Sequence, residues 1–353
     1  MASKIDVSAL TINTEEASEI GAAILEKEFV NGLLSEYHNI ETGIEHDTQI
    51  VFAGKIADGL KVVSGCTPNA GGNLVLTEKK WEPKKYDVRF THCASDMSAL
   101  LKLFKKAQRV NPDFFDRVDS EELGLVASRV IMMLRDTLPE KIWFSDTAAA
   151  VHGSGGVFTT GVDVDLYNVQ DGLFKQVIAA INSGDDNYVE ISENAGANYA
   201  AQVLATDKAL AILTSMRKAA DERLLDDPEA AFYVTRSIAE NYRDSIRTKT
   251  LGAGFVERTE NGTNQLFFDG IPVKVMNFWD RFIKANQDNT TKYNLPNRAL
   301  LTTPENIPVG TLSEDDFEAL DSFYDKTLKS NIMDVALSLD MKFLEGYMAV
   351  AAY

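Results

Sequence analysis

Residues 120–146 read SEELGLVASRVIMMLRDTLPEKIWFSD. Ser120 suits a helix N-cap, and Glu121 and Glu122 suit the positive end that follows it. Leu123, Val126, Val130, Met133, Leu134 and Thr137 then recur at helical spacing along one face. Pro139 has no N–H to give and restrains the residue before it, so the helix is predicted to stop there. The pattern describes an internal strut with one buried stripe, with Trp143 and Phe144 plugging the junction where the chain leaves it. From Thr147 the texture changes.

Upstream, residues 97–107 form a short amphipathic pattern with a basic outer face, closed by Asn111 and Pro112. Before it, residues 48–63 alternate like a strand (Ile50, Phe52, then Leu60, Val62), residues 65–72 make a Gly-, Pro- and Asn-rich turn, and Leu74-Val75-Leu76 alternate again. A basic cluster follows, Lys79-Lys80-Trp81-Glu82-Pro83-Lys84-Lys85, with its tryptophan expected at the surface, and then a strand-like run over 86–90. Together these predict a long two-stranded excursion that returns near Cys93. An isolated hairpin is marginal in water, so such a ribbon must lie on something else. Further back, Thr14 can cap a helix over 15–37 whose apolar face is broken, which reads as an arm.

Downstream, Gly153-Ser154-Gly155-Gly156 is a loop. Residues 173, 174, 177, 178 and 181 space a helix, and Thr206 is placed to cap another with Leu210, Leu213 and Met216 on one side. Residues 231–234 make a buried strand and 238–246 a helix. Leu266-Phe267-Phe268 and 271–275 flank an Asp269-Gly270 turn, the strongest short hairpin signal in the chain. Residues 298–302 are strand-like, and 347–353 are apolar to the last residue, a core strand and not a tail.

With 353 residues, 45% hydrophobic and 25% charged, the chain can bury a large core and is expected to form two substructures. Its formal charge of −18 disfavours general adhesion to nucleic acid or anionic lipid. No apolar run is long enough to cross a bilayer and no apolar stretch follows Met1-Ala2-Ser3-Lys4, so neither membrane anchorage nor secretion is expected. His38, His46, His92 and His152 lack metal-site spacing and read as surface or capping residues, and no metal or cofactor is expected. Cys66 and Cys93 read as reduced thiols or as a bridge across the base of a loop, a choice that needs geometry. The loop from Gly153 to Gly156 invites a phosphate-binding reading, but no Gly-Lys-Ser/Thr follows it. Ser215 and Lys218 match a short nucleophile pattern without its companion motifs. Asp163 with Asp165, and Asp185 with Asp186, read as solvated loop acids. An enzyme should show at least one complete constellation, and its lack shifts weight toward a structural role.

Four stretches carry a resemblance through their order and spacing. They are the strut ending Ile142-Trp143-Phe144-Ser145-Asp146; the turn Asp171-Gly172-Leu173 opening a helix to Ile181; Tyr233-Val234-Thr235 followed a hairpin later by Asp269-Gly270-Ile271-Pro272-Val273; and Leu301-Thr302-Thr303-Pro304-Glu305-Asn306-Ile307-Pro308-Val309-Gly310. Over nearly its whole length the chain resembles the major capsid protein of tailed bacteriophages, of the Hong Kong ninety-seven type, a fold shared with encapsulin compartments. Residues 65–93 are similar to the extended loop of a subgroup.

The resemblance implies an α+β capsid fold. An N-terminal arm would cover 1–47, an extended loop 48–92, a peripheral domain with its spine helix 93–146, an axial domain 147–311, and a C-terminal peripheral segment 312–353. It implies a structural protein and not an enzyme, assembling with itself into pentamers and hexamers of an icosahedral shell around packaged double-stranded DNA. The setting would be the virion capsid, assembled in the host cytoplasm, with portal and scaffold or decoration proteins as partners and no membrane. No long scaffolding segment precedes the arm, so a scaffold would be separate, already cleaved or absent. The family's occasional Lys–Asn crosslink falls on no particular pair here. Trp81 would anchor the extended loop on a neighbouring subunit, with Lys79, Lys80, Lys84 and Lys85 meeting acids there. Any inward contacts to DNA would come from Lys102, Lys105, Lys106 and Arg109. The alternatives are an encapsulin-like compartment and, in another class, a nucleotide-binding enzyme using the Gly153 to Gly156 loop.

Overall fold

The computed structural model describes residues 33–50, 53–56, 74–76, 79–93, 121–249, 256–258, 264–311, 321–325 and 330–353. In chain order its elements begin with α1 (Leu33–Tyr37), β1 (Ile40–Thr42), β2 (Ala53–Ile56), β3 (Leu74–Leu76), β4 (Lys84–Cys93), α2 (Glu121–Phe144), α3 (Leu173–Ala180) and β5 (Tyr188–Val189). They continue with α4 (Lys208–Ala219), α5 (Glu222–Leu225), β6 (Ala231–Val234), α6 (Arg236–Lys249), β7 (Val256–Arg258), β8 (Asn264–Phe268), β9 (Ile271–Val275) and α7 (Asn277–Asn286). The last are β10 (Ala299–Thr302), β11 (Val309–Thr311), β12 (Asp321–Asp325), β13 (Ser330–Met341) and β14 (Ala349–Ala352). The chain divides into two units. The first is Met1–Glu45, Glu82–Ile142 and Val309–Asp340; the second is His46–Trp81, Trp143–Pro308 and Met341–Tyr353.

The first unit holds most of α2 and a five-stranded sheet in the order β1-β11-β13-β12, with β4 also paired to β13. β4 and β13 run antiparallel from Ser330↔Cys93 to Leu339↔Lys84, so the strand expected at 86–90 is one side of a long ladder. The helix differs from its prediction. It continues through Pro139; among its described side chains Leu134, expected in the stripe, is buried together with Leu138 and Ile142, Met133 and Thr137 are half-buried and Met132 is exposed, while the side chains of Leu123, Val126 and Val130 lie outside the described residues. A proline inside a helix costs roughly 3 kcal/mol. Burying Ile142, Trp143 and Phe144 beyond it gains about 1.5–3 kcal/mol for each of them, which outweighs that cost.

The second unit is built on a seven-stranded mixed sheet, order β5-β14-β10-β6-β9-β8-β7. Every residue of β6, β10 and β14 is buried, as expected for central strands covered on both faces. Phe232, Val234, Leu301 and Val350 point to one side, into a core with Ile212, Leu213 and Met216 of α4 and Ile238 and Tyr242 of α6. Tyr233, alternating with them, meets Trp143 on the other side. The hairpin β8–β9 turns at Asp269 (φ 49°) and Gly270 (φ 84°), the paired left-handed conformations that its sequence announces.

Two expectations change here. The apolar C-terminus was expected in the sheet beside the strut helix; instead β14 lies between β10 (Leu301↔Val350) and β5 (Ala351↔Tyr188) in the second unit. Its residues are small, AVAA, and all four are buried. Thr206 does not cap α4 either: the cap position is Asp207 in left-handed backbone, and the N–H of Ala209 is met by Asn241 Oδ1, reaching across from α6 at 3.0 Å.

Candidate assembly surface

The basic cluster is shared between the two units. Lys79, Lys80 and Trp81 belong to the second, and Lys84 and Lys85 open β4 in the first, so no one element carries all five. The excursion's base is a short antiparallel ladder: Ile50 N–H donates to Lys79 O at 3.0 Å, Trp81 N–H to Thr48 O at 2.9 Å, and Asp47 N–H to Trp81 O at 2.9 Å. Trp81 is 1% exposed, a core side chain and not the surface anchor expected of it. Lys79 Nζ donates to the carbonyl of Phe343 and lies 5.6 Å over that ring, and burial pushes its pKa down. Lys80 stays exposed, 3.6 Å from Asp47, and Lys84 and Lys85 are exposed. Beyond the base, β2 and β3 pair antiparallel, the ribbon that the alternation predicts. Lys102, Lys105, Lys106 and Arg109 lie outside the described residues, as do Cys66, the helix expected over 97–107 and all but the last turn (α1) of the helix expected over 15–37.

Trp143 and Phe144 plug a junction as expected, within an aromatic joint of the second unit. Trp143 meets Phe174 at 5.1 Å and Trp279 at 4.7 Å, and Phe144 stacks on Phe282 at 4.1 Å. Arg298 is enclosed in that joint, its guanidinium 4.5 Å from the Phe174 ring and 5.4 Å from Phe144. It donates to Leu295 O (2.8 Å), Gln287 Oε1 (3.0 Å) and Asn294 O (3.1 Å), and burial pushes its pKa down to about 9. A charge in such a place locks the 287–298 loop by hydrogen bonds and ring faces. The sequence offered no sign of this beyond an arginine at the head of a strand.

The phosphate-loop reading of Gly153 to Gly156 fails on geometry. The segment is a 3₁₀ turn over His152–Ser154 closed by a bridge between Val151 and Phe158, and no helix follows it. Gly156 is pressed against the backbone of Ala150, where a Cβ would collide, so its glycine serves packing. Asp163 accepts from Asp165 N–H and starts the short turn after it. His38, expected at the surface or as a cap, is 2% exposed and follows directly on α1, its N–H donating to Leu34 O at 2.9 Å. Among the described residues no group of three or more His, Cys, Asp or Glu could hold a metal ion, and no helix is long and apolar enough to cross a membrane. What the sequence reading missed are the exposed apolar side chains: Val203 (69%), Met132 (59%), Leu166 (53%), Tyr199 (37%) and Val169 (36%).

No family model and no curated sequence matches the chain. Solved structures do. A chain of the satellite phage P4 procapsid, a particle that includes the size determination (Sid) protein, aligns with 98% of this chain and 93% of its own length, at a TM-score of 0.55 and 10% identity. The capsid of cyanophage P-SCSP1u aligns with 91% and 87% (TM-score 0.44, 14% identity). The holo-SrpI encapsulin of Synechococcus elongatus PCC 7942 aligns with 90% and 85% (TM-score 0.44, 9% identity). With two α+β units, a long helix entering an aromatic joint and a procapsid chain matching nearly end to end, this chain has the phage capsid fold of the Hong Kong ninety-seven type.

Proposed function

We propose that the chain is the major structural subunit of an icosahedral phage shell, joining copies of itself into hexamers and pentamers around packaged double-stranded DNA. The observation that carries this reading is the fold, matched over 98% of the chain by a procapsid chain. In this reading the first unit corresponds to the peripheral domain with α2 as its spine, the second to the axial domain, and residues 48–92 to the extended loop. Its mature setting is the virion, after assembly in the host cytoplasm, and portal and scaffold or decoration proteins are its partners. The buried side chains of Asn194, Gln202 and Arg298 suit a structural role, since their hydrogen bonds fix loops. Sedimentation and electron microscopy of the purified chain test the reading. Closed shells of many copies, filled with DNA when recovered from infected cells, are the expected result. A chain that remains a single subunit under all assembly conditions would refute it, and shells holding protein cargo would identify an encapsulin-like compartment instead.

A further inference from the structure

Residues 194–206 read NAGANYAAQVLAT, thirteen residues without one charge in a chain of which 25% is charged. Most of this stretch is exposed: Val203 at 69%, Tyr199 at 37%, and around them Ala197, Ala200, Ala201 and Ala205. An exposed apolar segment that merely wandered over the surface would need no support, but this one is held firmly from beneath. Asn194 Nδ2 donates to Asn297 O at 2.7 Å, and Asn297 N–H returns to Asn194 Oδ1 at 3.0 Å. Gln202 Nε2 donates to Tyr293 O (2.8 Å) and Asn194 O (3.2 Å), while its Oε1 accepts from Tyr293 N–H (2.9 Å). Asn297 Nδ2 donates to Gln202 O at 2.9 Å. All three amide side chains are buried, so this network is fully engaged and costly to break.

The outer part is fixed as well. Tyr199 N–H donates to Thr291 O at 3.1 Å, its ring packs on Tyr293 at 4.6 Å, and its hydroxyl donates to Asp288 Oδ1 at 2.5 Å. Gly196 lies so close to the backbone of Ala201 that a Cβ would meet it at 2.8 Å, which folds the loop back on itself. The result is an apolar, charge-free projection that loses little entropy when it docks, the property expected of a contact surface and not of a loop tip.

We infer that this projection, centred on Val203, is where one copy of the chain meets another. Copies that each carry −18 repel, so a stable contact between them must be made through surface free of acidic side chains, or against a matching basic patch. The loop supplies the first solution: of the acids around it, Asp288 accepts the Tyr199 hydroxyl and the Thr290 N–H, Glu193 pairs with Lys208 at 3.2 Å, and Asp207, at the far end, is half-buried at the start of α4. This inference rests on the self-assembly reading above and names one of its surfaces.

The test uses the full chain with Val203→Glu and, separately, Ala200→Glu, with Val203→Thr as the uncharged control. Both sites are exposed, so thermal unfolding of the isolated subunit should match wild type in all three. In sedimentation velocity at a concentration where the wild type forms large particles, the two glutamate variants should remain small species, with at least a tenfold rise in the concentration needed for assembly. Val203→Thr should assemble nearly as wild type does. Normal assembly by both glutamate variants would overturn the inference and leave the shell reading standing, the patch then meeting some other protein or none. A wild-type chain that forms no particles would overturn both.

Discussion

Asp280 shows how a single side chain on α7 sets the start of another helix. Its Oδ2 accepts the N–H of Arg236, the first residue of α6, at 2.7 Å, a cap supplied from outside the helix it serves. Burial nevertheless holds its pKa above the ordinary value of 3.8, outweighing the Arg236 N–H and the Lys284 and Arg236 charges that pull it down. The sign follows directly. In the window just above 3.8 the folded chain binds more protons than the unfolded one, so this group's contribution favours folding at low pH and is lost as pH rises through the raised folded pKa. Asp280→Asn keeps an acceptor and removes the buried charge; it should leave stability at pH 7 unchanged or slightly higher and flatten the pH dependence in that window. Asp280→Ala leaves the Arg236 N–H without its partner and should cost about 1 kcal/mol at either pH. Urea unfolding of the three proteins at pH 4 and pH 7 separates these outcomes. An Asn variant as damaged as the Ala variant would mean that the carboxylate's attraction to the helix start exceeds its burial cost.

Elements whose residues decide their own conformation were legible in the sequence, and elements decided by what they pack against were not. The β8–β9 turn follows from Asp269-Gly270 alone, and the central strands β6 and β10 from unbroken apolar runs. By contrast, Pro139 announces a helix end that tertiary burial overrides, and in the described part of α2 the expected Leu134 is joined in the interior by Leu138 and Ile142, which the periodicity had not picked out. Nothing in the residues of β14 says which sheet it joins, since any covered sheet would accept it. The candidate site was harder still: lysines flanking a tryptophan look like a sticky surface, and only the packed structure, with the indole 1% exposed, shows it to be interior. The consequence is a revised expectation for the base of the excursion. Trp81→Ala removes a 1%-exposed indole and should destabilise the folded subunit by about 3–5 kcal/mol, well beyond an effect confined to assembly. Denaturant unfolding of the unassembled subunit measures this directly, and an unchanged midpoint with failed assembly would return Trp81 to the role of an intermolecular anchor.

For the whole molecule, the charge and the proposed function have to be reconciled. A subunit at −18 cannot gather a genome by releasing counterions, because most of its surface repels phosphate. A shell need not do so if the DNA is driven into it after assembly; its wall is then best non-adhesive, and the acidic average becomes an asset. Under that reading only a few basic side chains touch DNA, with Lys102, Lys105, Lys106 and Arg109 the candidates from the sequence, and phosphate contacts of that kind carry no base preference. The isolated subunit should therefore bind duplex DNA more weakly than about 10⁻⁴ M near physiological salt, at the bottom of the range for ordinary non-specific binders. Lowering the salt should strengthen the residual binding with a log–log slope no steeper than about −4, as four phosphate contacts allow, and shuffling the sequence of the duplex should change nothing. A gel-shift series across salt and sequence reads both quantities. Tight binding that distinguishes one duplex from another would be incompatible with a passive wall and would make the chain a DNA-directed regulator that happens to wear a capsid fold.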